Sequence, residues 1–91
     1  MKKQDILFKM MLDDDIYYDI YKYDVTDASE MDNLMEYFKP NFSKYGLSVE
    51  EVTYEDFVEA VKEAQTYIEL EYEFHRRYYT HHDATDDQNI K

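Results

Sequence analysis

A single proline and a single glycine, Pro40 and Gly46, punctuate this chain of 91 residues, and they stand six positions apart. These residue types are the strongest breakers of regular structure. Their confinement to Lys39-Pro40-Asn41-Phe42-Ser43-Lys44-Tyr45-Gly46 places one turn near the middle of the sequence. A sheet built from several tight hairpins needs more such positions than the chain offers. Long helices need none. The fold class expected is all-α: a small helical domain in which one long C-terminal helix, about residues 49–79, packs on shorter N-terminal helices.

Apolar spacing supports this. After the turn, Ser48 with Glu51 and Thr53 with Asp56 both look like helix starts, a hydroxyl capping and an acid three residues on, so the long helix begins near 49 or near 54. Phe57, Val61, Ala64, Ile68, Tyr72 and His75 then follow helical spacing, and Ala60, Tyr67, Leu70, Phe74 and Tyr78 widen the apolar arc. Before the turn, Ser29 is placed to cap a helix carrying Met31, Leu34, Met35 and Phe38. That helix should stop at Lys39, since the residue before a proline is pushed from helical geometry. Residues 3–12, rich in Leu, Met and Lys, also read as helix. Residues 16–25 are ambiguous. Tyr and Ile favour strands, but Ile16, Ile20 and Tyr23 share a helical face with Asp14 or Asp15 as cap. Helix is preferred, and a short β-hairpin is the alternative. The expected organisation is one acidic domain over 1–79 and a polar, fraying tail over 80–91.

Charge narrows the function. Twenty-two acids face ten bases, a net of −12. Self-repulsion of that size weakens a compact state, and solubility alone is served by a magnitude of about 2–8 in a small domain. Such a surface repels nucleic acid and anionic membranes and attracts basic surfaces. With 44% hydrophobic and 18% aromatic residues, the chain nevertheless has the material for a core. It has no cysteine, which removes disulfides and thiolate chemistry. The apolar run Ile6–Leu12 is interrupted by Lys9 and followed by Asp13-Asp14-Asp15, unlike a signal peptide, and no stretch approaches the ~20 apolar residues of a membrane span. A cytoplasmic location is expected.

The acids are concentrated. Residues 49–73 hold nine of them against one base, Lys62. Glu51, Glu55, Glu59 and Glu63 form a row at four-residue spacing, about 6 Å apart along a helix axis. Each like-charged step costs an isolated helix about 0.2–0.5 kcal/mol. DNA presents a charge about every 3.4 Å along one strand, so two neighbouring carboxylate rows approximate its density. One reading is a phosphate-mimicking ridge; the other is a solvated polar face. A second group, Asp13, Asp14, Asp15 and Asp19 (with Asp24 beyond), is interleaved with tyrosines, Tyr17 and Tyr21 among them. Tyrosine beside acid suits an interface with Arg or Lys on a partner; alternatively the aspartates cap and the tyrosines fill the core.

Catalytic patterns are missing. The sequence has no Gly-rich phosphate loop, zinc-protease helix or nucleophile elbow, and a chain this short builds one modest core rather than a deep cleft. His75, His81 and His82 are not at the i, i+4 spacing that holds a metal; His75 is expected to be partly buried, while His81 and His82 suit the negative end of a helix. Neither enzymatic activity, a cofactor nor a metal is expected.

In size and charge the whole chain resembles the small acidic helical inhibitors that phages make against host defence, the anti-restriction and anti-CRISPR DNA mimics. The resemblance is compositional and transfers no residue. It implies competitive occupancy of a basic nucleic-acid-binding protein, with no direct binding of nucleic acid by the chain itself. The rival reading is an immunity- or antitoxin-like module, or an adaptor, that binds a basic partner outside its nucleic-acid site. A third is a homodimer with the aromatic arc of the long helix as its seam.

Overall fold

The computed structural model describes residues 2–75 of the chain. Three α-helices, α1 (Lys3–Leu12), α2 (Ala28–Phe38) and α3 (Tyr54–His75), alternate with two 3-10 helices at Tyr17–Lys22 and Lys39–Tyr45. No strand forms among the described residues. Within the segment 16–25, Tyr17–Lys22 takes the helical alternative in its tighter 3-10 form, residues 23–25 leave it, and the hairpin does not form. The expected tail over 80–91 and the expected end of the long helix near 79 lie outside the described residues.

The core explains the order of elements. It gathers Leu7, Met10 and Met11 from α1, Tyr17 and Ile20 from the first 3-10 helix, and Met31, Leu34, Met35 and Phe38 from α2. Phe42, Leu47 and Val52 follow from the connection, then Phe57, Ala60, Val61, Ala64 and Ile68 from α3. The fully buried Ala60 and Ala64 leave room for a close neighbour on α3, and α1 is the element most extensively packed there. Phe38 and Phe57 meet with ring centroids 6.2 Å apart, joining α2 to α3. Burying one such side chain contributes roughly 1.5–3 kcal/mol, so the three fully buried phenylalanines, Phe38, Phe42 and Phe57, are principal anchors.

Three local expectations change. Ser29 is not the cap of α2. The cap is Asp27, whose Oδ1 accepts from the Ser29 and Glu30 backbone N–H groups at 3.0 and 3.2 Å. A carboxylate there also meets the positive end of the helix. Glu30 reaches back to the Asp24 N–H at 2.9 Å, clamping the preceding turn. Secondly, α2 does end beside Lys39, but Lys39 itself keeps right-handed helical geometry, φ −50° and ψ −43°. Pro40 sits at the start of the next 3-10 helix, where its missing N–H leaves no bond unmade. The expected turn is thus a tight helix. It closes at Gly46, φ +77°, with Leu47 N–H donating to Phe42 C=O at 3.0 Å and Gly46 N–H to Ser43 C=O at 3.1 Å. Only glycine adopts that conformation without steric cost.

Thirdly, both proposed capping boxes form, and only one starts a helix. Ser48 and Glu51 exchange bonds, with Ser48 N–H to Glu51 Oε2 at 2.7 Å and Glu51 N–H to Ser48 Oγ at 3.3 Å. The chain then stays in a turn, pinned by buried Leu47 and Val52 on either side. Thr53 and Asp56 repeat the pattern at 3.1 and 3.0 Å, and α3 begins. Contacts from α1 reinforce this second box. Lys3 Nζ donates to Asp56 Oδ2 at 2.9 Å and to the Glu51 carbonyl at 2.7 Å, and Gln4 Nε2 donates to the Asp56 carbonyl at 3.1 Å. Farther along, Phe8 meets Tyr67 edge to face at 5.5 Å. Helices α1 and α3 therefore run in the same sense, their N-termini tied together.

Candidate partner-binding surface

The carboxylate row stands on the back of α3. At 3.6 residues per turn, Glu55, Glu59 and Glu63 lie about half a turn from the buried stripe of Phe57, Val61 and Ala64. All three are exposed, and none of their carboxylates makes a hydrogen bond or ion pair among the described residues. Glu51 drops out of the helical row, because it lies before α3 and its carboxylate accepts the Ser48 N–H. The helical ridge is thus three carboxylates spanning about 12 Å of axis. Lys62 stands beside it without bonding to it; a long-range ion pair, Lys3–Asp56, lies at the start of the helix.

The aspartate group is used differently. Asp13 Oδ2 accepts from Tyr45 Oη at 3.1 Å and pairs with Lys9 at 3.3 Å. Asp14 Oδ1 accepts from Tyr37 Oη at 2.9 Å and from the Ile16 N–H at 3.0 Å. These bonds hold the end of α1 against α2 and the second 3-10 helix. They also favour the neutral phenols: the bond to Asp14, with burial second, raises the Tyr37 pKa, and burial followed by the bond to Asp13 raises that of Tyr45. Asp15 is exposed, and Asp19 pairs with Lys22 at 3.4 Å.

Of the two tyrosines nominated here, Tyr21 is half exposed and available. Tyr17 is not: its ring is 4% exposed and belongs to the core. Its hydroxyl is buried and has no hydrogen-bond partner among the described residues. Burial, reinforced by the Glu71 carboxylate, pushes its pKa well above the ordinary tyrosine range.

Sequence reasoning missed the exposed aromatics at the far end of α3. Tyr72 continues the helical stripe, yet the core ends at Ile68 and Tyr72 is 68% exposed. Leu70 is 63% exposed and Tyr67 44%. The signal was length. A helix of 22 residues is about 33 Å long, against about 15 Å for the 10-residue α1, so α1 cannot cover its last turns. Two grooves flank this region. One, of about 340 Å³, is lined by Phe8, Tyr67 and Leu70 with Glu59, Glu63 and Lys62. The other, of about 390 Å³, lies between the first 3-10 helix and α3 and is lined by Tyr18, Tyr21, Ile68, Glu69 and Tyr72.

Among the described residues no group of three His, Asp or Glu side chains is placed to hold a metal, and no helix is long and apolar enough to cross a membrane. No family model, no curated protein and no solved structure matches the chain.

Proposed function

We propose that this protein is a cytoplasmic inhibitor that occupies the basic groove of a nucleic-acid-binding protein, such as a host-defence nuclease, in the manner of the phage-made DNA mimics it resembles. It acts by binding and not by catalysis. The observation that carries this reading is the ridge of Glu55, Glu59 and Glu63, exposed and without side-chain partners among the described residues, in a chain of net charge −12. Carboxylates that bond to no other described side chain and repel one another along a helix are explained by an external basic surface; Glu55, in the first turn of α3, also meets the positive end of that helix. Lys and Arg that hold phosphates would pair with them, and the complex would weaken with salt, since exposed charges are screened beyond about 8–10 Å near physiological ionic strength.

Exposed Leu70, Tyr67 and Tyr72 support the rival, an acidic interaction module that meets its basic partner outside the nucleic-acid site. A homodimer seam along the same arc would bring two strongly negative chains together. The separating experiment captures partners on tagged protein and elutes them with a salt gradient, with and without duplex DNA. Release of a nucleic-acid-binding protein by DNA supports the mimic. A basic partner that DNA leaves in place overturns it in favour of the module.

A further inference from the structure

The groove between the first 3-10 helix and α3 has a chemistry of its own. Ile68, nearly buried, forms its apolar floor, and Tyr18, Tyr21 and Tyr72, each more than half exposed, form its walls. Glu69 stands in the lining, exposed and with no partner among the described residues. Tyr18 Oη donates to Glu71 at 3.4 Å, which sets a second carboxylate close by. Among the described residues no basic side chain lines the groove, and Lys22, at the end of the 3-10 helix, is paired with Asp19. At about 390 Å³ it falls within the ~300–1,000 Å³ range of sites that enclose ligands.

The occupant follows by elimination. An anion would meet Glu69 and Glu71. A purely apolar group would cover Glu69 without pairing it, and desolvating an unpaired charge is costly. A second copy of the chain brings another net charge of −12. A guanidinium satisfies every wall: it is weakly hydrated, stacks on aromatic faces, and offers a planar fork that a carboxylate accepts. Lysine is a more strongly hydrated point charge and suits the tyrosine faces less well.

We infer that this groove receives an arginine side chain from a basic protein partner, held between Tyr18, Tyr21 and Tyr72 and paired with Glu69. The inference rests on the basic partner proposed above, but not on that partner's nucleic-acid site. It adds a specific anchor about which the ridge, on the back of the helix, says nothing.

The test titrates the full ¹⁵N-labelled chain with three capped tripeptides, Leu-Arg-Leu, Leu-Lys-Leu and Leu-citrulline-Leu, followed by amide chemical shifts. The arginine peptide is expected to give saturable shifts confined to residues 17–22 and 68–72. The lysine peptide should bind several-fold more weakly, and the neutral citrulline peptide, of the same shape, should give none that saturate. Tyr72→Ala and Glu69→Gln alter exposed side chains, and each should weaken the arginine peptide by about fivefold while leaving the amide spectrum otherwise intact. Shifts spread along Glu55–Glu63 and equal for arginine and lysine would overturn the proposal, as would equal binding of citrulline. This outcome is separable from the mimic reading. Arginine binding here, with no captured partner released by DNA, retains the groove and removes the mimic. A DNA-displaced partner with no arginine binding does the reverse.

Discussion

Asp13 and Asp14 each hold a tyrosine hydroxyl from elsewhere in the fold, while the side chains of Glu55, Glu59 and Glu63 hold no partner among the described residues. Both groups are dense runs of acid, and both sit on helix-rich segments beside exposed surface. Their difference is one of neighbours. The aspartates follow α1 where α2 and the second 3-10 helix come close enough to offer Tyr37 and Tyr45. Glu59 and Glu63 border a groove with Phe8 of α1, but no donor from another described element reaches the three glutamates. Acid density in a sequence therefore says little about which acids are spent inside the molecule. The surrounding packing decides that, and the unspent group is the better candidate for a partner.

The sharpest way to break this comparison is to neutralise each group separately. Changing Glu55, Glu59 and Glu63 together to Gln is expected to weaken partner binding roughly a hundredfold, as three charge contacts of about 1 kcal/mol each would imply. Thermal stability should hold or rise slightly, because like-charged steps are relieved. Calorimetric titration and a melting curve report the two halves. Binding unchanged within threefold would show the ridge to be a solvated face. Asp13→Ala with Asp14→Ala should do the opposite, lowering the melting temperature by several degrees while leaving partner affinity within a few-fold.

The two capping boxes allow a finer contrast. Thr53→Ala removes the cap that starts α3 and should cost about 1 kcal/mol in urea unfolding, whereas Ser48→Ala, in a box that starts no helix, should cost less than half of that. Equal losses would mean that the first box carries more of the fold than its geometry indicates.

Titration separates the regions with smaller effects. The pKa values of Tyr37 and Tyr45 are raised in the folded protein. The stability they contribute is complete below the unfolded value near 10 and is lost as pH rises through their folded values. Tyr37→Phe with Tyr45→Phe should flatten that alkaline loss, seen by circular dichroism. At the other end, the hydrogen bond from Lys3, helped by the Thr53 N–H, lowers the Asp56 pKa. Its contribution is complete above the unfolded value near pH 4 and fades as pH falls through the lower folded value. Asp56→Asn should reduce the acid sensitivity slightly, and a variant with unchanged acid sensitivity would remove Asp56 from the account.

Much of the architecture was readable from residues alone. Scarce Gly and Pro set the helical class, and the Phe57, Val61, Ala64 and Ile68 spacing gave the spine. What escaped was whatever depended on distant partners. The two boxes are equivalent in local sequence, and the choice between them reflects Lys3 and Gln4 from α1 together with buried Leu47 and Val52. Among the tyrosines of residues 17–21, adjacent Tyr17 and Tyr18 differ in burial because the 3-10 helix turns one inward and the other outward. Tyr72 keeps the helical stripe, but the neighbours that would bury it end before it does. Of the nominated surface, the Glu55–Glu63 row stood clear on sequence, whereas the groove around Tyr18 and Tyr72 needed coordinates.

The pairing of α1 with α3 has a bearing on how the molecule is made. Lys3 finds Asp56 across 53 positions, and the apolar face of Leu7, Met10 and Met11 joins a core completed by residues 57–68. During translation the first helix emerges long before its partner. At about 5–20 residues per second, that face stays uncovered for several seconds, until most of the last helix has left the ribosome. Over that interval the emerged residues 1–48 carry only ten acids against six bases, so most of the repulsive charge reaches the chain together with the helix that covers the face.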